Sequence, residues 1–288
     1  MKSFASCYTA PLNRLAWAVL LLAALLFFWA DPCQAQEPLL DVKLYAHRGL
    51  HIEHPENSLG AIQAALDSGI HGAEIDLRTT RDGVIILMHD PILDKTTNAC
   101  GKVRETDYAE IQALHLKSAQ GKITEWTVPT FEQALKLVKK RPGFELALDP
   151  KDVDAVAAAC LVLKFDMANQ VQFFIADPKN VELVRSIKNK APRLKICVDM
   201  LNWWKIEDVP SFAAASLEAD YLFASEWFFP NRGFEELSKR GAPVIVYLWG
   251  AHDLKKRFDH AVSLGALGVS CDNPLELLPY VRPLPAKK

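Results

Sequence analysis

Eight short apolar runs, each followed by turn residues and then by a longer amphipathic stretch, leave this chain few folds. The runs cover residues 42–46, 73–77, 144–149, 171–176, 194–198, 221–224, 243–249 and 266–270. Strand-sized segments alternating with helix-sized ones indicate parallel strands joined by helical crossovers. Eight such units in roughly 250 residues are what a closed α/β barrel of the TIM-type (β/α)8 kind requires. An open doubly wound sheet is the alternative, but no glycine-rich phosphate-binding turn follows a strand. Helical patterns fall at 57–66, 130–140, 153–165, 178–190, 233–240, 253–264 and 274–281, with a weaker one near 206–217. The second opens Thr130-Phe131-Glu132-Gln133, the spacing of a capping box. One connection, from Ile92 to Gly143, is over-long. Its first part, about 92–129, reads as a small capping insertion over the barrel mouth.

The first 35 residues stand apart. Lys2 and Arg14 precede an unbroken apolar run from Leu15 to Ala30, followed by Asp31-Pro32-Cys33-Gln34-Ala35-Gln36. A basic start, an apolar middle and a small residue at 35 form an export signal cut after Ala35, so the expected setting is periplasmic or secreted. An uncleaved membrane anchor through residues 15–30 is the alternative, although that run is short for a span. Residues 36–288 then form a single barrel domain. The net charge of −2 and the lack of a basic stripe argue against a nucleic-acid partner. Among the six cysteines no C-x-x-C pair occurs, and Cys160 and Cys197 are expected to be buried as small hydrophobes.

Chemistry concentrates in the segment from Glu74 to Pro91. Asp82-Gly83 is a strong two-residue hairpin signal, since both central positions favour residues that tolerate positive φ. A turn centred there sets Arg81 opposite Val84, Thr79 opposite Ile86 and Asp76 opposite His89. Cross-strand partners share a sheet face, and Glu74 lies two residues from Asp76 on the same face. Two carboxylates and an imidazole therefore share one surface.

Barrel sites form at the C-terminal ends of the strands. The first run ends Ala46-His47-Arg48-Gly49, the third Leu148-Asp149-Pro150-Lys151, the seventh Tyr247-Leu248-Trp249 and the eighth Val269-Ser270-Cys271-Asp272. Glu74, Asp76 and Asp149 offer the oxygen ligands that select a hard divalent cation, Ca²⁺ or Mg²⁺. Zinc suits the set less well, because acids outnumber histidines and no histidine pair has i, i+4 spacing. His47 and His89 would flank the ion, while Arg48 and Lys151 suit phosphate oxygens. A cation that grips a phosphoryl group, with one imidazole to deliver a proton and one to remove it, is a phosphodiester-cleaving arrangement.

His47-Arg48-Gly49, Pro55-Glu56-Asn57-Ser58, Gly72-Ala73-Glu74-Ile75-Asp76-Leu77, Asp82-Gly83 and His89-Asp90-Pro91 follow one another in order. So do Asp94-Lys95-Thr96-Thr97, Val128-Pro129-Thr130-Phe131, Trp249 and Cys271-Asp272-Asn273-Pro274. This series closely resembles the glycerophosphodiester phosphodiesterases, over nearly all of the chain after residue 42. The resemblance implies a TIM-type barrel with an inserted cap and hydrolysis of glycerophosphodiesters to glycerol 3-phosphate and an alcohol. It also implies Ca²⁺ or Mg²⁺ on Glu74, Asp76 and a third acid, His47 and His89 as the acid–base pair, and phosphate contacts from Arg48 and Lys151. Three positions depart from the family pattern: Asp149 stands where Glu is usual, Trp249-Gly250-Ala251-His252 replaces Trp-Thr-Val-Asn, and Ser58 replaces Thr.

Other residues carry blander expectations. Glu145 lies too far down the barrel to join the site, Asp90 caps the turn made by Pro91, and His51, His54 and His71 are solvated loop residues. Trp249 forms an apolar wall for the glycerol or the leaving group. Trp203-Trp204 and Trp227-Phe228-Phe229 follow the fifth and sixth strands, where an exposed greasy rim would favour a lipid substrate or a membrane surface. That rim keeps two other readings open: a lysophospholipase D or sphingomyelinase D-like enzyme, and a non-catalytic phosphodiester-binding barrel.

Overall fold

The computed structural model describes residues 39–175, 181–199, 219–226, 243–250 and 252–286. The export segment, the two aromatic groups after strands five and six, and the helices read at 206–217 and 233–240 lie outside the described residues.

Eight parallel strands close on themselves. In chain order they are β1 (Lys43–Ala46), β2 (Gly72–Thr79), β6 (Glu145–Pro150), β7 (Val171–Ile175), β8 (Lys195–Asp199), β9 (Tyr221–Ser225), β10 (Val244–Leu248) and β11 (Gly268–Cys271). β11 pairs with β1 and β1 with β2, which completes the ring. The outer strand positions are apolar throughout: Leu44, Ile75, Leu146, Phe173, Val198, Ala224, Val246 and Val269 are buried in one continuous core. Helices α1 (Leu59–Ser68), α3 (Phe131–Val138), α4 (Ala155–Lys164), α5 (Val181–Lys190) and α6 (Leu254–Ser263) carry further members of that core on their buried faces.

The caps follow the sequence. Ser58 accepts from Ala61 N at 3.0 Å, and Thr130 and Gln133 form the reciprocal capping box. The segment read as a helix at 274–281 is instead two 3-10 turns, Pro274–Glu276 and Leu278–Tyr280. Pro279 has no N–H to give to an α-helical ladder, so the regular pattern breaks there.

Alternate positions point into the barrel and form storeys. At the N-terminal end, Glu145 takes hydrogen bonds from Lys43, Lys195, Tyr45 and Gln172. Phe174, Cys197, Phe223 and Ile245 belong to a second cluster of interior side chains, together with Tyr45, Ala147 and Tyr247. Glu74, Asp76 and Asp149 lie toward the C-terminal mouth, and the register pairs Asp76 with Asp149.

β2 outruns its neighbour β1 and pairs antiparallel with β3 (Ile85–Leu87). Here the register differs from the sequence reading. Thr79 pairs with Ile85 and Leu77 with Leu87, one residue away from the expected match. The reversal has three loop residues, closed by Thr80 N to Val84 O at 3.0 Å, with Gly83 at φ +84°. Asp82 is drawn aside: its carboxylate accepts from the Thr80 hydroxyl at 2.6 Å and from Tyr108 N at 3.0 Å. Between β3 and α3 lie a short helix α2 (Tyr108–Ile111) and a two-stranded ribbon, β4 (His115–Lys117) with β5 (Ile123–Thr127). Its apolar residues Leu93, Val103, Ile111 and Leu116 cluster with Ile86 and Met88 of the hairpin.

Candidate active site

Strand alternation builds most of the site. On β2, Ala73, Ile75 and Leu77 face the helices, so Glu74 and Asp76 must face the barrel interior. On β6 the same alternation turns Asp149 inward. One carboxylate oxygen from each of Glu74, Asp76 and Asp149 lies within 4.8 Å of the others. Beside them, His47, Arg48, His89, Lys151, Phe174, Phe223, Tyr247 and Trp249 line a single pocket. All eight residues singled out in the sequence therefore reach one cavity.

His89 arrives by a different route from the expected one. The observed ladder sets Met88, not His89, against Asp76, through Met88 N to Asp76 O at 3.0 Å. A one-residue slip in a continuing strand would turn His89 to the opposite face. The strand stops at Leu87, however, and the chain bends. Arg78 fixes the bend, because its Nε and Nη2 both donate to the His89 carbonyl, at 2.7 and 2.5 Å. Arg78 is itself held by Asp152 at 3.0 Å, and Asp152 also pairs with Arg104 of the insertion at 3.4 Å. Three loops at the mouth are thus tied through one guanidinium and one carboxylate.

The acids need cations. Burial raises the pKa of Glu74 well above the ordinary carboxylate range, and repulsion from Asp76 and Asp149 adds to it. Burial likewise raises Asp149, although Lys151 opposes it. For Asp76 burial acts in the same sense but is outweighed by Lys151 and Arg48, which hold it low. Lys151 Nζ bridges the pair, 3.1 Å from Asp76 and 2.5 Å from Asp149. A cluster of three inward carboxylates that already draws an ammonium between two of its members fits a hard divalent cation, and Asp149 reaches it despite its shorter side chain.

Several residues that orient the site were missed or misread in the sequence. Asn57, fully buried with φ +56°, donates its amide to Asp76 Oδ2 at 2.8 Å and accepts from Asp76 N at 2.9 Å. In the sequence it stood only as a cap residue at the start of the 57–66 pattern; Ser58 is the N-cap of a helix that begins at Leu59, and Asn57 adopts the left-handed conformation that this clamp needs. Glu56 binds Arg48 through both oxygens at 3.0 Å, and Arg48 N donates to Glu74 at 3.0 Å. Gly49, at φ +78°, brings this loop so close to α1 that an added Cβ would lie 2.7 Å from that of Ala61.

Asp272 accepts from His47 Nδ1 at 2.8 Å, and the Tyr247 hydroxyl lies 2.7 Å from the same nitrogen. Both stood at strand ends in the sequence, and Tyr247 shares a face with Trp249 by simple alternation. Trp249 packs edge-on to Tyr247, ring centres 4.3 Å apart, and remains 48% exposed. Arg257 on α6 holds this stretch by donating to the carbonyls of Trp249 and His252, at 2.7 and 2.9 Å. His252 therefore contributes its backbone to that contact.

Of the other expectations, some are corrected and some hold. His51 is no solvated loop residue: its Nδ1 meets the His47 carbonyl at 2.8 Å. His71 Nδ1 accepts from Leu44 N at 3.0 Å, and burial lowers its pKa. His54 stacks edge-on to Trp126 with ring centres 5.9 Å apart. Cys160 is exposed on α4, whereas Cys197 is buried. Asp90 pairs with Lys95 at 3.1 Å.

A sequence model of the glycerophosphoryl diester phosphodiesterase family matches residues 47–276. A glycerophosphodiester phosphodiesterase of Bacillus altitudinis is 36% identical over 38% of this chain, and the match spans 45% of that protein. One from Caldanaerobacter subterraneus subsp. tengcongensis is 27% identical, with 82% of this chain and 96% of that protein aligned. Among solved structures, a glycerophosphodiester phosphodiesterase from Agrobacterium tumefaciens superposes with a TM-score of 0.69 at 25% identity, covering 83% of this chain and all of that one.

Proposed function

Because the chain belongs to the glycerophosphoryl diester phosphodiesterase family, we propose that its pocket hydrolyses glycerophosphodiesters to glycerol 3-phosphate and an alcohol. The observation that carries the reading is the convergence of three inward carboxylates, two imidazoles, Arg48 and Lys151 on one cavity. Ca²⁺ or Mg²⁺ on Glu74, Asp76 and Asp149 would supply the charge that neutralises phosphate oxygens. Arg48, anchored by Glu56, and Lys151 orient the diester from the sides. Burial keeps the pKa of His89 below its usual value, and Arg48 and Lys151 act in the same sense. His89 is therefore neutral at neutral pH and able to accept a proton from the attacking oxygen. His47, with Nδ1 committed to Asp272, presents Nε2, 3.9 Å from Glu74, and delivers the proton to the leaving alcohol. Trp249 and Phe223 give the organic groups an apolar wall.

The decisive comparison sets glycerophosphocholine against lysophosphatidylcholine, each with Ca²⁺, with Mg²⁺ and after chelation. Turnover of the soluble diester, stopped by chelation and restored by added ion, is expected. Preference for the lipid would favour the lysophospholipase reading, and failure on both would leave a binding barrel. An exported setting belongs to the same proposal and rests on residues 1–35 alone. N-terminal sequencing of the protein made in its native host checks it, with Gln36 as the expected first residue. Among the described residues no helix is long and apolar enough to cross a membrane.

A further inference from the structure

His51 stands apart from the proton transfers just described, yet its geometry is tightly constrained. Its Nδ1 lies 2.8 Å from the carbonyl oxygen of His47. A carbonyl only accepts, so Nδ1 carries a proton, and in the neutral ring Nε2 presents a lone pair. That Nε2 faces Asp272 Oδ1 at 3.8 Å, beyond hydrogen-bond reach. With the ring neutral, two acceptors face each other, an arrangement that a metal ion between them would satisfy. His47 Nδ1 lies on the same carboxylate oxygen at 2.8 Å, so two imidazole nitrogens and one carboxylate oxygen gather within 4.8 Å.

We propose that His47, His51 and Asp272 form a second metal site that binds Zn²⁺, separate from the carboxylate cluster, and that its occupation arrests the enzyme. The ligand chemistry separates the two sites. Oxygen-only donors favour hard Ca²⁺ or Mg²⁺, whereas two imidazoles with one carboxylate favour Zn²⁺. The His47 carbonyl behind His51 is the kind of outer partner that fixes the orientation of a ligating imidazole. The 2.8 Å contact is somewhat shorter than the spacing of about 3.3 Å between ligands on a tetrahedral zinc with bonds of about 2.0 Å. Asp272 must therefore swing slightly outward, and its side chain is 34% exposed. Arrest follows from shared use of one residue. Zinc on Nδ1 of His47 displaces the proton held there and takes Asp272 away as its hydrogen-bond acceptor. The remaining Nε2–H then belongs to a zinc-bound neutral imidazole, a much weaker acid than the imidazolium that the proposed hydrolysis uses, and that half of the inference rests on the catalytic reading.

Calorimetric titration of Zn²⁺ into the protein in excess Mg²⁺ tests the site without relying on turnover. One Zn²⁺ per chain is expected, with affinity at least about tenfold weaker in both His51→Ala and His51→Gln. Zinc inhibition of the wild-type enzyme should persist in excess Mg²⁺ and weaken in parallel in the two variants. Zinc affinity unchanged in the folded variants, or zinc expelled by Mg²⁺, overturns the site. Tight zinc binding at His51 without inhibition overturns the arrest. Lack of turnover in the untreated protein would count against the hydrolase reading alone, since the calorimetry still decides where zinc binds.

Discussion

His89→Ala is expected to lower turnover of a glycerophosphodiester by roughly 10²- to 10⁴-fold, the range for loss of a positioned general acid or base, and His47→Ala to do the same. Both variants should remain folded. His89 lies past the end of β3, held by its backbone carbonyl, which the substitution leaves on Arg78. His47 is only partly buried, and its ring meets Asp272 and Tyr247 rather than the apolar core. If the two imidazoles act as one unit, the double variant loses little more than either single one. The pH profile separates their roles. Because burial and two neighbouring cations lower the pKa of His89 from its ordinary 6.5, the rate falls only when acid takes the pH below that value. That acid limb should vanish in the residual activity of His89→Ala. Single-turnover rates, with circular dichroism to verify folding, check both points, and near-wild-type activity in either alanine variant would remove the two-histidine scheme.

What the sequence revealed, and where it misled, has a physical pattern. The barrel was legible because alternating apolar strands and amphipathic helices follow local periodicity, which neighbours elsewhere in the chain do not alter. Glu74 and Asp76 were legible for the same reason, since alternation alone turns both inward. The hairpin register was not. Asp82-Gly83 favours a two-residue turn in isolation, but Tyr108 N, from a segment far along the chain, captures the Asp82 carboxylate and the loop takes a third residue. His89 still reaches the pocket because Arg78, which carries no recognisable signal, grips its carbonyl. The clamp made by Asn57 was missed, and His51 misread, in the same way. Their partners, Asp76 and the backbone of His47, come together only once the loop between β1 and α1 folds back on itself. Cys160 shows the opposite error, an apolar context in sequence that proves to be the exposed side of α4.

Glu145 offers the sharpest contrast between an acid that builds the barrel and acids that serve it. It lies on the same strand and the same face as Asp149, yet its charge is spent on structure. Oε1 takes the ammonium groups of Lys43 at 2.9 Å and Lys195 at 2.6 Å. Oε2 takes the Tyr45 hydroxyl and the Gln172 amide, both at 2.6 Å. Burial pushes its pKa up, but these donors outweigh it and bring it down from 4.5 to about 2. A carboxylate depressed in this way stabilises the fold above its unfolded pKa. The contribution, about 3 kcal/mol at about 1.4 kcal/mol per unit, is lost as the pH falls from about 4.5 toward 2. Glu145→Ala leaves the buried Tyr45 hydroxyl without its acceptor and two ammonium groups without a counter-charge, a change that costs about 3–5 kcal/mol. The lower end is expected, because Lys43 and Lys195 are 39% and 29% exposed and can turn to water. Denaturant unfolding at neutral pH should show the loss, and the variant should show a shallower decline in stability across that acid window, since Asp76 and Asp272, also held low, still contribute theirs. Its turnover per folded molecule and its divalent-ion requirement should stay those of the wild type, since the substitution lies at the opposite end of the barrel from the pocket. Loss of ion binding on replacing Glu145 would instead mean that the interior acids act as one connected charge system, and the division into a structural and a catalytic storey would fall.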